Sequence, residues 1–305
     1  MGIVFVTREI VGDALERLRS EHEVVVWGGP LPPTAGELRA EVAGADGLLC
    51  MLADRVDREL IDAAPRLRAI ANYAVGFDNI DVSAAATRGI AVGVTPDVLT
   101  EATADLAFAL LLAAARRLPE GMAAVRSGEW RTWEPARWLG ADVHGATLGI
   151  VGYGRIGQAV ARRAAGFEME VLATHATDLD ELLARSDFVS LHCPLTTQTH
   201  HLIDARALAC MKPTAILINT ARGGVVDQVA LAAALRDGTI AGAALDVTDP
   251  EPLSADDPLL RVPNVIVLPH IGSATLTARS QMTELAVENL LAALTGRPMA
   301  HPARA

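Results

Sequence analysis

The hydrophobic pattern of the first hundred residues alternates between two periods. IVFVT (3–7) is a short apolar run bounded by polar residues, which predicts a buried strand. EIVGDALERLRS (9–20) carries its apolar residues at helical spacing. EVVVW (23–27) predicts a strand, TAGELRAEVA (34–43) a helix and GLLCM (47–51) a strand. RELIDAA (58–64) follows as a short helix, and LRAIANYA (67–74) as a strand ending near the loop AVGFDNID. Strand and helix alternating at this pitch imply a parallel sheet covered by helices.

TEATADLAFALLLAAARRL (100–118) is almost wholly apolar and predicts one long buried helix, with Thr100 as its N-cap and Glu101 in its first turn. The polar, tryptophan-bearing SGEWRTWEPARWLGADVHG (127–145) predicts surface loop. At Ala146 the alternation restarts. ATLGIVGYG (146–154) is a strand entering a glycine turn, and RIGQAVARRAAGF (155–167) is the helix after it. MEVLATH (169–175) is a strand, LDELLARS (179–186) a helix and DFVSLHCPL (187–195) a strand and loop. TAILINTARGG, IAGAALDV and VIVLPHIG are three more strands, with the helix ALAAALRDG between the first two. LTARSQMTELAVENLLAALTG (276–296) is the last helix.

Length adds that 305 residues fit two domains. Composition adds less: 51% apolar and 21% charged residues describe a chain able to bury large cores. A formal net charge of -11, with no concentrated basic patch, argues against nucleic acid and anionic membranes as partners. An anionic substrate then needs a local positive centre. The three cysteines, Cys50, Cys193 and Cys210, are few, odd in number and widely spaced, so neither a disulfide framework nor a zinc site is expected. Charge returns at Arg8 and Glu9, unlike a signal peptide, and no apolar run is long enough to span a bilayer. The expected location is the cytoplasm.

VGYGRIG places Gly152, Gly154 and Gly157 as G-x-G-x-x-G between a strand and a helix. The first glycine allows the tight turn, the second lets the backbone approach a pyrophosphate, and the third lets helix and strand pack closely. The helix N-terminus adds N–H donors and partial positive charge for the phosphates. The next strand ends in Thr174, His175, Ala176 and Thr177, with no carboxylate before Asp178 for the ribose hydroxyls and no arginine for a 2′-phosphate. NAD and NADP both remain open from this motif. Among the other histidines, His192 ends a strand near the cofactor, and His200–His201 lack metal-ligand spacing.

Polar side chains recur at the ends of later strands: Arg222, Asp246, Glu251 and His270. In open parallel sheets ligands bind outside the carboxyl ends of strands. A reaction that builds negative charge on a substrate oxygen is helped by a nearby acid and a cation, which lower the barrier. A histidine titrates near 6.5 and a neighbouring carboxylate raises that value, which suits it as the acid. Arginine holds a carboxylate with two parallel hydrogen bonds.

NYAVGFDNIDV, TEATADLAFALLL, VGYGRIGQA, TARGGVVD, LDVTDPEP and PHIGSAT occur in an order that resembles the D-2-hydroxyacid dehydrogenases, most closely their glyoxylate/hydroxypyruvate reductase branch. The resemblance implies two doubly wound parallel-sheet domains, Rossmann-like and flavodoxin-like, with an inter-domain cleft. Residues 1–98 plus 272–305 would form the substrate domain and 99–271 the dinucleotide domain. It implies NAD(P)H-dependent reduction of small 2-keto acids to D-2-hydroxy acids. His270 would be the proton donor, Glu251 its partner and Arg222 the carboxylate clamp. Leu52, Val75 and Gly76 would line the substrate, the last two through backbone N–H groups. Thr103, Arg155, Ile156, His175, Cys193, Pro194, Thr220 and Asp246 would join the glycines around the cofactor, with Asp246 near the nicotinamide carboxamide. It further implies a homodimer built on the 100–118 helix. The tryptophan that reaches a neighbouring active site in the closest branch aligns at Arg137, beside Trp138.

The chain departs from the family between VLATH and LDELL, where it lacks the usual adenosine-side loop, a helix and part of a strand. Glu251 argues against the formate-oxidising branch, which carries glutamine there, and no regulatory domain is expected after the last helix, which argues against the longer phosphoglycerate dehydrogenases. A non-enzymatic NADH-binding corepressor and a phosphite dehydrogenase are the rival readings.

Overall fold

The computed structural model describes residues 1–303. They fall into two compact units, Met1–Leu99 with residues 273–303, and Thr100–Gly272.

The first unit is a five-stranded parallel sheet in the order β2-β1-β3-β4-β5. Its strands are β1 (Ile3–Val6), β2 (Glu23–Val26), β3 (Gly47–Cys50), β4 (Ala69–Asn72) and β5 (Ala91–Gly93). β3 and β4 are buried at every position, as strands covered on both faces must be. Around them pack α1 (Ala14–Glu21), α2 (Ala35–Val42), α3 (Arg58–Asp62) and α4 (Val82–Thr87). Asp57 and Asp81 cap the last two helices, and Thr34 and Glu37 form a reciprocal capping box on α2. α1 starts five residues later than the apolar spacing suggested, because Gly12, at φ 95°, breaks the segment.

The second unit holds α5 (Thr100–Ala115), α6 (Leu118–Arg126) and a six-stranded parallel sheet in the order β11-β10-β9-β8-β6-β7. The strands are β6 (Thr147–Val151), β7 (Glu170–Ala173), β8 (Phe188–Leu191), β9 (Ile216–Asn219), β10 (Gly242–Leu245) and β11 (Val265–Val267). One face packs on α5 and α7 (Arg155–Ala164) around Phe108, Leu111, Ile150, Val160 and Phe188. The other packs on α8 (Leu179–Arg185), α9 (Ala205–Cys210) and α10 (Gln228–Asp237) around Leu182, Leu191, Leu208, Leu217 and Leu235. α11 (Leu276–Leu294) belongs to the first unit and packs on α1, β3 and β4.

Two findings modify the sequence reading. The single long helix expected over 100–118 is two: α5 ends at Ala115, and Arg117 turns into the left-handed region before α6 starts at Leu118, with Pro119 in its first turn. In the Rossmann order 3-2-1-4-5-6 a further strand flanks the second one. Here β7 is the sheet edge, and the chain turns from it into α8 through Thr174–Asp178 alone. That is where the sequence lacks part of a strand.

Candidate active site

The order of the six-stranded sheet reverses between β6 and β8, so a crevice opens outside their carboxyl ends. The glycine turn sits there. A Cβ on Gly157 would lie 2.3 Å from the Gly152 carbonyl oxygen, and one on Gly152 would lie 2.5 Å from the Cys193 nitrogen. Those two glycines let turn, helix and β8 loop close on one another. Gly154 differs: a Cβ there meets nothing within 4 Å. It caps α7, whose first residues are Arg155 and Ile156, so open space faces a helix N-terminus. This cradle fits a dinucleotide pyrophosphate. Gly152 N donates to Thr174 Oγ1 at 3.1 Å, joining the turn to the end of β7. The exposed His175 ring stacks on Tyr153 with centroids 4.3 Å apart.

Cys193 and Pro194 follow β8, and Thr220 follows β9. Cys193, Thr220 and Thr103 of α5 are buried. His192 lies between Ser190 Oγ, 2.8 Å from Nε2, and Thr220 Oγ1, 3.4 Å from Nδ1. Burial lowers its pKa to about 4, so it is neutral at physiological pH.

Arg222, Glu251 and His270 come from three successive strand ends, β9, β10 and β11. Asn219, at the end of β9, accepts from Ala221 N–H and donates to the Arg222 carbonyl at 2.9 Å, fixing the backbone beside Arg222. A Cβ on Gly223 would fall 2.0 Å from the Thr248 carbonyl. Only glycine lets the Arg222 loop pack this tightly against the loop that carries Glu251.

His270 Nδ1 lies 3.0 Å from Glu251 Oε2, and Glu251 Oε1 accepts from Thr248 N–H at 3.0 Å. Burial alone raises a carboxyl pKa. For Glu251 the hydrogen bond and charge of His270, the Thr248 N–H and the Arg222 charge outweigh burial, and the group ends below its ordinary value. It is an ionised carboxylate aimed at one nitrogen of the ring.

His270 has φ 54°, a backbone region that costs a non-glycine residue energy and persists only where surroundings impose it. Asp246 imposes it. The Asp246 carbonyl accepts from His270 N–H at 2.9 Å, and its two carboxylate oxygens accept from Ile271 and Gly272 N–H at 2.7 Å each. Asp246 is 1% exposed. Burial raises its pKa against the opposing pull of those N–H groups and of His270.

In the first unit Leu52 follows β3, while Val75 and Gly76 follow β4. Val75 is exposed. Sequence reasoning overlooked Asn72, Asn79 and Asp54, which brace these loops. The signal was there, as Asn72 closes a strand with an amide side chain, but an isolated asparagine reads as an ordinary strand terminus. Among the described residues no cluster of three or more histidine, cysteine, aspartate or glutamate side chains could hold a metal. None of their helices is long and apolar enough to cross a membrane.

Residues 108–272 match the family model of the D-isomer-specific 2-hydroxyacid dehydrogenase NAD-binding domain. The chain is 51% identical over 304 residues to a glyoxylate reductase of Korarchaeum cryptofilum, covering 95% of this chain and 92% of that one. It is 50% identical over 307 residues to a glyoxylate reductase of Pyrococcus horikoshii, covering 95% and 92%. A crystal structure of a Thermus thermophilus protein superposes with a TM-score of 0.93 at 52% identity, covering 99% of this chain and all of that one. The NADPH-dependent glyoxylate/hydroxypyruvate reductase of Sinorhizobium meliloti, in complex with NADP and malonate, superposes with a TM-score of 0.87 at 36% identity, covering 99% and 96%. With these matches and its two parallel α/β sheets, the chain belongs to the D-isomer-specific 2-hydroxyacid dehydrogenases, a family of NAD(P)-dependent oxidoreductases.

Proposed function

We propose that this protein reduces small 2-keto acids, glyoxylate and hydroxypyruvate among them, to D-2-hydroxy acids. The observation that carries the reading is the ionised Glu251 held 3.0 Å from His270 Nδ1, on strand ends beside Arg222. NADH or NADPH, held by the Gly152–Gly157 turn with Arg155, Ile156, His175, Cys193, Pro194, Thr220 and Thr103 around it, supplies the hydride when bound. The protein does the rest. The Arg222 guanidinium holds the substrate carboxylate and faces the keto oxygen. Glu251 takes the Nδ1 proton in its hydrogen bond and thereby orients the ring, so that Nε2 carries the proton given to the oxygen. Within the first unit, the Val75 and Gly76 N–H groups after β4 are the donors proposed for a substrate carboxylate, with Leu52 at the end of the neighbouring β3.

Asp246 takes a different role from the one the resemblance implied. A side chain this buried, with both oxygens accepting main-chain N–H groups, serves to hold the His270 turn rather than to meet a nicotinamide carboxamide. The glyoxylate reductases among the relatives support the reductase reading over a corepressor-like regulator or a phosphite dehydrogenase.

The same proposal includes a cytoplasmic homodimer. Three free cysteines suit a reducing compartment. Leu118, Met122 and Val125 stand more than half exposed along one face of α6, followed by exposed Trp130, Trp133 and Leu139, an apolar surface that suits self-association. The Arg222→Ala variant tests the substrate orientation: kcat/KM for glyoxylate and hydroxypyruvate falls by about a hundredfold or more, as expected for loss of a charged clamp. Wild-type kcat/KM in this variant would refute that orientation.

A further inference from the structure

The loop after β4 is braced by the side chains of Asn72 and Asn79. Asn72 closes β4 with none of its surface exposed. Its Nδ2 donates to the Gly76 carbonyl at 2.8 Å and to Asn79 Oδ1 at 3.0 Å. Asn79 Nδ2 donates onward to the carbonyls of Met51 at 3.1 Å and Asp54 at 2.9 Å, in the loop after β3. The buried Asp54 closes that loop by accepting from Met51 N–H at 2.7 Å and from the Thr7 hydroxyl. Cys50 and Asn72 are register partners on adjacent strands, so the two loops leave the sheet side by side. The two asparagines tie them into one unit.

This bracing sets the direction of amide groups. In a trans peptide the C=O and N–H point opposite ways, and the peptides of this loop are trans. The Gly76 carbonyl faces Asn72, so the Phe77 N–H faces away from it. The Ala74 carbonyl accepts from Thr95 N–H at 2.9 Å, so the Val75 N–H faces away from that anchor. Two donors on either side of Gly76 are therefore fixed by their carbonyls. An anion gains most from donors that need no reorganisation on binding.

We propose that Asn72 and Asn79 are positioning residues for recognition of the substrate carboxylate. They act through the backbone, by holding the Gly76 carbonyl and the Met51–Asp54 loop so that Val75 and Phe77 present their N–H groups. Phe77 N–H thereby joins Val75 and Gly76 as a donor. The inference rests on the reading, given above, that this loop receives the carboxylate.

The test compares Asn72→Ala, Asn79→Ala, their double variant and Val75→Pro, which deletes one donor directly. The readouts are KM and kcat for glyoxylate, and the NADPH dissociation constant measured by fluorescence titration. Each asparagine variant raises KM about tenfold or more, the effect of losing a well-placed hydrogen bond to a charged group, while kcat and NADPH affinity stay within about threefold. The double variant is no worse than the poorer single, because both residues serve one unit. A general loss of structure would instead lower kcat and NADPH affinity together with thermal stability. If Val75→Pro raises KM and the asparagine variants do not, the positioning role is overturned and the carboxylate reading survives. If none of the four raises KM, the carboxylate reading falls as well. Should Asn72→Ala not fold, Asn79→Ala, at a half-buried position, tests the same role by the same readouts.

Discussion

Gly154 separates what the glycine turn does for the fold from what it does for a ligand. Its backbone is extended, at φ -75°, and a Cβ would meet nothing within 4 Å. Gly154→Ala should therefore leave the melting temperature of the cofactor-free protein within about 2 °C. It should weaken NADH and NADPH binding about tenfold or more, because the methyl group stands where a pyrophosphate must approach. Calorimetric melting and a fluorescence titration check both halves. Unchanged affinity would move the cofactor away from this turn. The same scale shows what sequence can and cannot convey. Arg222, Glu251 and His270 are legible because each ends a strand in a glycine- or proline-marked loop. The left-handed turn at His270, and the Asp246 carboxylate that holds it, are not. They depend on hydrogen bonds between residues 25 or 26 positions apart, which no local pattern encodes.

Among the elements, those with a marked apolar pattern are legible in the sequence. β1, β3, β6, β8, β9 and β10 coincide with the predicted strands to within a few residues. α4, β5, α6 and α9 are absent from the sequence reading. β5 has three residues and α4 and α9 have six each, and their sequences, AVG, VSAAAT and ARALAC, carry no apolar period that marks them off from the loops around them. α6 is hidden by its sequence, LPEGMAAVR, where proline and glycine read as loop; the proline falls at the tolerated start of the helix. The short β7–α8 connection is legible as a missing piece, and its consequence is a sheet edge at β7. Cofactor choice belongs to this element. The connection offers the exposed His175, stacked on Tyr153, where a dinucleotide fold selective for NAD is expected to carry a carboxylate for the ribose hydroxyls. Discrimination should therefore be weak or favour NADPH. Dissociation constants for the two cofactors decide it, and a preference for NADH of a hundredfold or more would mean that Asp178 or another acid binds the ribose hydroxyls.

At the scale of the whole molecule, the buried His22 and the half-buried His192 tie stability to pH. Burial lowers the pKa of His192 to about 4, and burial also lowers that of His22, whose Nδ1 accepts from Gly2 N–H. In the unfolded chain both titrate near 6.5. Above that pH both are neutral in either state, and their contribution to stability is fully present. As pH falls from about 6.5 to about 4, the unfolded chain takes up protons that folded His192 refuses, so stability falls. For His192 the loss is of order 2 kcal/mol once its partial exposure is allowed for. Urea midpoints measured across this range should decline, and less steeply in His192→Gln. Equal slopes in the two proteins would remove His192 from the balance.

The central claim concerns proton donation by His270 with Glu251 as its partner. It is tested most directly by the kcat of glyoxylate reduction, followed by loss of NAD(P)H absorbance, in the wild type, His270→Gln and Glu251→Gln. The account predicts a fall of about 10²–10⁴-fold for His270→Gln, the size expected of a lost general acid, with the NADPH dissociation constant nearly unchanged. It predicts a smaller fall for Glu251→Gln, whose amide can still accept from Nδ1 and orient the ring but no longer offers it a negative charge. A His270→Gln protein that kept wild-type kcat would contradict the account, whatever the result for Glu251.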